Sequence, residues 1–156
     1  PITVNNQTVM MDTSALIERA VSEMIAQKIL PKGITVIIPE VVDQELEMME
    51  KPHPSLRKEI RLDLKRKFKK AMKELRSLAK YELEGYVRLQ RHVGNRLSEE
   101  EIERKIRGTD RHSADRLLLE TCREIGALLI TKDEGLAARA SADKINVFLI
   151  KSESRL

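Results

Sequence analysis

Short apolar runs alternate along the chain with longer stretches in which apolar residues recur every three or four positions. The runs predict strands that are covered on both faces, because such strands are apolar throughout. The periodic stretches predict helices with one buried face. Ile2 and Val4 fit either an extra strand or a segment that precedes the first one. The strand pattern is met by residues 9–11, 34–38, 127–130 and 147–150.

Helices are predicted between these strands. The first carries an apolar stripe from Leu16 to Ile29, and Thr13 or Ser14 can cap its start. A second begins at Pro39, where the missing N–H costs nothing, and continues to Glu50. Strand, helix, strand in this order indicates a right-handed parallel crossover. The pattern therefore predicts an α/β fold with a mainly parallel sheet, and a length of 156 residues suits a single domain.

A long segment over residues 55–107 separates the first two strands from the last two. A helix is predicted from Ser55 to about Tyr86, then a loop over 92–96, and then a short helix opened by a capping box of Ser98 and Glu101. The segment holds 17 basic and 9 acidic residues, a net charge of +8. The remainder holds 12 basic and 16 acidic residues, a net charge of −4.

This polarised charge favours a polyanion bound along the long helix and a cation bound by carboxylates elsewhere. A solvated helix face is the alternative for the basic residues. With only four aromatic residues in the chain, binding is expected to depend on phosphates more than on stacked bases. The candidate residues for binding a polyanion such as RNA are Arg57, Arg61, Lys65, Lys69, Lys73, Arg76 and Lys80.

The pattern from Gly108 to Leu136 predicts a helix, a glycine that ends it, a buried strand and a second helix. Asp115 lies early on the first of these helices, and Gly126 suits its end. Asp133 follows the strand at its carboxyl end, where open α/β sheets bind ligands. The stretch therefore predicts a pocket that contains two acids.

Two further acids are expected at the same edge of the sheet. Asp12 directly follows the first strand, and Glu45 lies on the helix after the second strand. Considered without the other three acids, Glu45 would be interpreted as a surface charge. Carboxylates brought together repel one another and have raised pKa values unless a cation neutralises them. Mg²⁺ prefers oxygen ligands and can activate water beside a phosphoryl group. Asp110 is an extra acid nearby, and we favour a helix cap for it.

Other kinds of site find little support. The chain has one cysteine, Cys122, and three histidines without ligand-like spacing, so a zinc site and a catalytic triad are not expected. Its six glycines are scattered and form no phosphate loop. No apolar run approaches the ~20 residues of a membrane span, and no secretory signal pattern is present. A cytoplasmic protein is therefore expected, and the start at Pro1 suggests a trimmed chain or a piece of a longer one.

Four segments together resemble the PIN domain (PilT N-terminus) family. They are VMMDTSAL at 9–16, PEVVDQEL at 39–46, DRLLLETC at 115–122 and LLITKDEGL at 128–136. The resemblance implies a three-layer α/β/α sandwich and an Mg²⁺- or Mn²⁺-dependent endoribonuclease that cuts single-stranded RNA. It makes Asp12, Glu45, Asp115 and Asp133 the catalytic metal ligands. Thr13, Ser14 or Thr131 would hold these ligands by hydrogen bonds.

The basic segment is longer than in compact family members. The chain is less like the small toxins of toxin–antitoxin pairs and more like PIN domains joined to archaeal ring-forming ATPases, sometimes with a KH module. A homodimer or larger ring is expected from the resemblance, with exposed apolar residues of the central segment as the contact. The alternative function is a non-catalytic RNA-binding or oligomerisation module with a vestigial metal site.

Overall fold

A computed structural model describes residues 6–110 and 112–151. It contains five strands: β1 (Thr8–Met11), β2 (Ile34–Pro39), β3 (Val87–His92), β4 (Leu128–Thr131) and β5 (Val147–Leu149). The helices are α1 (Thr13–Ile17), α2 (Ala20–Ala26), α3 (Glu40–Glu50), α4 (Lys58–Leu83), α5 (Glu99–Ile106), α6 (His112–Ile125) and α7 (Glu134–Ala142). Ile2 and Val4, which fitted an extra strand, lie outside the described residues.

The strands form a single parallel sheet in the order β3-β2-β1-β4-β5. Helices cover both sides of it, so the predicted α/β/α sandwich is confirmed. The central strands are the most apolar, and Met10, Met11, Leu129 and Ile130 are fully buried. Because β1 and β4 are neighbours, the segments that follow their carboxyl ends meet at one edge of the sheet.

Strand β3 was missed by the sequence analysis, which expected only helices and loops in the central segment. It lies at the edge of the sheet and pairs with β2 from Ile34 opposite Val87 to Pro39 opposite His92. An edge strand buries little of its surface, and here Val87 is the buried position while polar residues fill most of the others. Such a sequence lacks the continuous apolar run that identified the inner strands.

The first predicted helix is two helices in the structure. Arg19 adopts a left-handed conformation (φ 57°) between α1 and α2, which the apolar stripe alone did not reveal. The expectation that Thr13 or Ser14 caps this segment was also wrong. Asp12 is the cap, because its backbone is extended and its carboxylate accepts from the Ala15 N–H.

Helix α4 extends over α1, α2, α3 and β3, close to the predicted bounds. Leu64, Ala71 and Leu78 are buried at intervals of seven residues, as expected for one apolar face. Glu74 is also fully buried and accepts hydrogen bonds from the Ser22 backbone N–H (3.0 Å) and hydroxyl. These bonds fix α4 against α2, although burial raises the pKa of Glu74. Across the described ranges, every helix is too short or too polar to cross a membrane.

Candidate active site

The junction of β1 and β4 positions the first part of the site. Asp12 follows β1, Thr131 ends β4, and Ser14 lies in the first turn of α1 beside them. Met11 lies opposite Ile130 in the parallel register, so the next residues of both strands emerge together. Ser14 also accepts from the Lys132 N–H at 3.0 Å, which joins the two segments beyond the sheet.

Asp12 is held by three donors in a nearly solvent-free position. Its Oδ1 accepts from the Ser14 hydroxyl at 2.8 Å and from the Ala15 N–H at 2.9 Å, and its Oδ2 accepts from the Thr131 hydroxyl. Burial raises the pKa of Asp12 to about 6, even though these hydrogen bonds act in the opposite direction. Asp12 is therefore a buried carboxylate whose hydrogen bonds do not fully offset the cost of burying its negative charge.

Thr13 differs from the other two predicted supporting residues. Ser14 and Thr131 both hold Asp12, whereas the buried Thr13 hydroxyl has no hydrogen-bond partner among the described residues. Thr13 lines the same cavity as Asp12. A buried polar atom without a partner is costly, and a bound water or ion is a common explanation for one.

Asp133 is placed by the turn that leads from β4 into α7. Its backbone N–H donates to the Thr131 hydroxyl at 3.0 Å, and its Oδ1 accepts from the Leu136 N–H at 3.0 Å as the helix cap. A side chain at Gly135 would bring a Cβ to 3.3 Å from that same oxygen, so glycine leaves room beside it. Thr131 therefore connects Asp133 to Asp12 through one hydroxyl.

Asp115 lies on the first turn of α6 and faces Asp133. Burial, and then the negative charge of Asp133, raise the pKa of Asp115, while Lys105 and Arg139 lower it. The Arg139 guanidinium is 3.3 Å from the Asp115 Oδ2. Asp110 is separate from this contact and accepts from the Ser113 N–H (3.3 Å) and hydroxyl (2.9 Å), bonds that lower its pKa. That arrangement agrees with the expected cap at the start of α6.

Glu45 is buried on α3 and makes an ion pair with the Lys105 ammonium from α5. Lys105 was not among the residues predicted from the sequence. Its positive charge also lowers the pKa of Asp12 and Asp115, so it acts on three of the four predicted acids. Its spacing could have identified it, because Lys105 lies three residues after the buried Ile102 and therefore on the same side of the helix.

All four predicted acids line one cavity of about 290 Å³. Thr13, Ser14, Lys67 and Lys105 line it as well, so four carboxylates face two lysines. The donor chemistry fits a hard divalent ion. Within the described part of the chain, however, no three Asp, Glu, His or Cys side chains stand close enough together to hold a metal ion. Side-chain rotation, including release of Glu45 by Lys105, would have to precede coordination.

The predicted RNA-binding residues all lie on the exposed surface. Lys73 is the member of this set that lines the cleft between α4 and α1/α2. Two further lysines of α4, which were not among the predicted residues, also line concave surfaces: Lys67 lines the acid cavity and Lys70 lines the cleft. The remaining predicted residues are exposed: Arg57, Arg61, Lys65, Lys69, Arg76 and Lys80.

A parallel sandwich with acids at the carboxyl ends of its central strands defines an α/β/α protein of the PIN-like kind. The family model for the PIN domain matches residues 9–142, and the chain therefore belongs to the PIN domain family. Members of this family are generally nucleases and typically use divalent metal ions.

Structural comparison agrees on the fold. A domain of a functionally unknown protein from Methanocaldococcus jannaschii DSM 2661 is similar to this chain, with a TM-score of 0.71 and 24% sequence identity. The match covers 94% of this chain and 93% of that one. No curated protein matches the sequence.

Proposed function

We propose that this protein is a divalent-metal-dependent endoribonuclease that cleaves single-stranded RNA at the acid-lined cavity. The observation that carries the proposal is the convergence of Asp12, Glu45, Asp115 and Asp133 on that cavity. Membership in a family of nucleases supports it, and so does the basic helix α4 beside the cavity.

The four acids would hold Mg²⁺ or Mn²⁺ in the proposed reaction. The bound ion would supply Lewis acidity, which activates water and stabilises charge on a phosphate. Ser14 and Thr131 fix the direction in which Asp12 presents its carboxylate. Since burial raises the pKa of Asp12 and Asp115, a cation at this position relieves an unfavourable charge.

A non-catalytic RNA-binding module is the second candidate, and one contact favours it. The Lys105 ammonium already neutralises Glu45, and lysine is a tethered cation that supplies no water-activating chemistry. In that function the acids and Lys105 would be a structural cluster, and RNA would bind α4 without being cut. The two candidates differ in a single observable, which is metal-dependent cleavage.

The test is to incubate labelled single-stranded RNA with the protein in Mn²⁺, Mg²⁺ or EDTA. The variants are Asp12→Asn and Asp115→Asn, and the matched control is Asp143→Asn, whose surface carboxylate pairs with Arg123 at 3.4 Å. We expect cleavage that needs the metal, is lost in the first two variants and persists in the third. RNA binding without cleavage under every condition would favour the binding module.

A further inference from the structure

A second cleft adjoins the acid cavity. It has a volume of about 510 Å³ and lies where α1 and α2 face α4. Ile17 lines both the cleft and the acid cavity, so the two concave surfaces meet at that residue. A chain that leaves the cavity past Ile17 would therefore enter this cleft.

Three lysines of α4 follow the same course. Lys67 lines the acid cavity, while Lys70 and Lys73 line the cleft. Residues three apart lie on one side of a helix. At a rise of about 1.5 Å per residue, the three positions form an inclined row that advances about 9 Å along the helix axis from the acids.

The two lysines that line the cleft are available to contact an anionic ligand. No carboxylate in residues 6–110 or 112–151 forms an ion pair with Lys70 or Lys73. Of the two acids that line the cleft, Glu18 pairs with Lys132 at 2.6 Å and Glu23 remains exposed. The surplus of positive charge is largest along the α4 side.

Among the described residues, Lys67 and Arg19, unlike Lys70 and Lys73, each lie near a carboxylate. Lys67 is 3.0 Å from Asp63, but that carboxylate also pairs with Arg66, so two cations share one acid. Arg19 lies 3.7 Å from the buried Glu74 and donates to the Ser77 hydroxyl at 3.0 Å. Arg19 therefore forms one wall of the cleft without adding much free charge.

An aromatic side chain lies at the far end of the cleft. Tyr81 is half-buried there and meets the Tyr86 ring edge to face, with the centroids 5.6 Å apart. An aromatic ring held by its neighbour offers a surface on which a base can stack without preference for its identity. A row of phosphate-binding cations that leads to such a ring fits a single strand better than a duplex.

We propose that the cleft is the track along which a single-stranded nucleic acid enters or leaves the acid cavity. Its phosphates contact Lys67, Lys70 and Lys73, and a base stacks on Tyr81. That the ligand is single-stranded RNA rests on the proposed function, whereas the residues that contact it are inferred from the lining of the cleft. It also predicts that the outer face of α4, which includes Lys65 and Lys69, contributes little to binding.

Adjacent residues provide the matched test, because Lys69 and Lys70 are both exposed lysines on one helix. We would compare Lys70→Glu with Lys69→Glu, each in an Asp12→Asn background with EDTA, so that RNA is bound and not cut. Fluorescence anisotropy with a labelled 12-nucleotide oligouridylate gives the dissociation constant over a range of salt concentrations.

We expect Lys70→Glu to weaken binding about tenfold or more, and Lys69→Glu to weaken it by less than about threefold. The magnitude of the log–log salt slope should fall by about 0.7 for each lost phosphate contact. Equal losses in the two variants, or a greater loss in Lys69→Glu, would overturn the proposed track. Equal unfolding midpoints would show that both variants are folded.

A 4-thiouridine crosslink provides an independent readout. Crosslinks should map to Tyr81 and its neighbours in the cleft, and crosslinks confined to the outer face of α4 would count against the track. If Lys69→Glu and Lys70→Glu weaken RNA binding equally while the wild type still cleaves RNA with metal, the track is refuted and the nuclease proposal stands. No RNA binding by the parent protein, with binding of an acidic peptide instead, would refute the track and the RNA substrate together.

Discussion

Replacement of Asp12 by asparagine should stabilise the metal-free protein at neutral pH. Asp12 is 5% exposed, and burial raises the pKa of its carboxyl from 3.8 to about 6. The folded state therefore holds a proton at this position more tightly than the unfolded chain does. As the pH rises from about 4 to above 6, ionisation of Asp12 makes folding progressively less favourable.

The magnitude follows from the two pKa values. A shift from 3.8 to about 6 corresponds to about 3 kcal/mol of lost stability above pH 6, at 1.36 kcal/mol per pKa unit. An amide has no charge to bury, but it offers Thr131 a donor where the carboxylate offered an acceptor. If one hydrogen bond is worth about 1 kcal/mol, the variant should gain about 2 kcal/mol overall.

Urea denaturation in EDTA at pH 4.0 and pH 7.5 measures this difference. We expect Asp12→Asn to be about 2 kcal/mol more stable than the wild type at pH 7.5, with the gain absent at pH 4.0. Asp143→Asn is the control, and a surface substitution of this kind should change stability by less than about 0.5 kcal/mol. Mn²⁺ at about 100 times its dissociation constant should return about 2.7 kcal/mol to the wild type and little to the variant.

The opposite ranking would refute this reasoning. If Asp12→Asn were less stable than the wild type at pH 7.5 in EDTA, the hydrogen bonds from Ser14, Ala15 and Thr131 would outweigh the cost of burying the charge. Asp12 would then be a structural cap, and its environment would give no support to a cation site.

Other variants test neighbouring parts of the account. Lys105→Met leaves the buried Glu45 without its partner, so the metal-free protein should lose about 3 kcal/mol in urea denaturation. Calorimetry should also show tighter Mn²⁺ binding by this variant, and weaker binding would mean that Lys105 organises the acids. Thr131→Val removes a donor that lowers the pKa of Asp12, so Mn²⁺ binding should require a higher pH, and an unchanged pH profile would contradict this. We expect the chain to self-associate through exposed apolar residues such as Leu83 (90% exposed), so Leu83→Ser should lower the mass measured by light scattering. A wild type that is already monomeric would contradict this expectation.

The inner part of the fold was predictable because burial determines its residues directly. β1, β2 and β4 are covered on both faces, and a strand in that position must be apolar throughout. The strands in turn place Asp12 and Asp133 at one edge. A cavity lined by these acids was therefore predictable from the sequence alone.

The outer part depended on tertiary contacts that local patterns do not encode. β3 is polar because it lies at the sheet edge, and Arg19 interrupts a stripe that otherwise reads as one helix. The position of Lys105 opposite Glu45 joins residues 60 apart in the sequence. Likewise, counting basic residues on α4 identified mainly its most exposed side, and of the lysines that line the cleft against α1 and α2 it selected Lys73 but not Lys70.

Diffraction from Mn²⁺-soaked crystals, recorded at the manganese absorption edge, tests the central claim most directly. We predict an anomalous peak in the cavity within about 2.3 Å of carboxylate oxygens of Asp12, Asp115 or Asp133, with the Lys105 ammonium withdrawn from Glu45. A cavity without an anomalous peak at saturating Mn²⁺, and with the Lys105–Glu45 ion pair intact, would contradict the account of a metal-dependent nuclease.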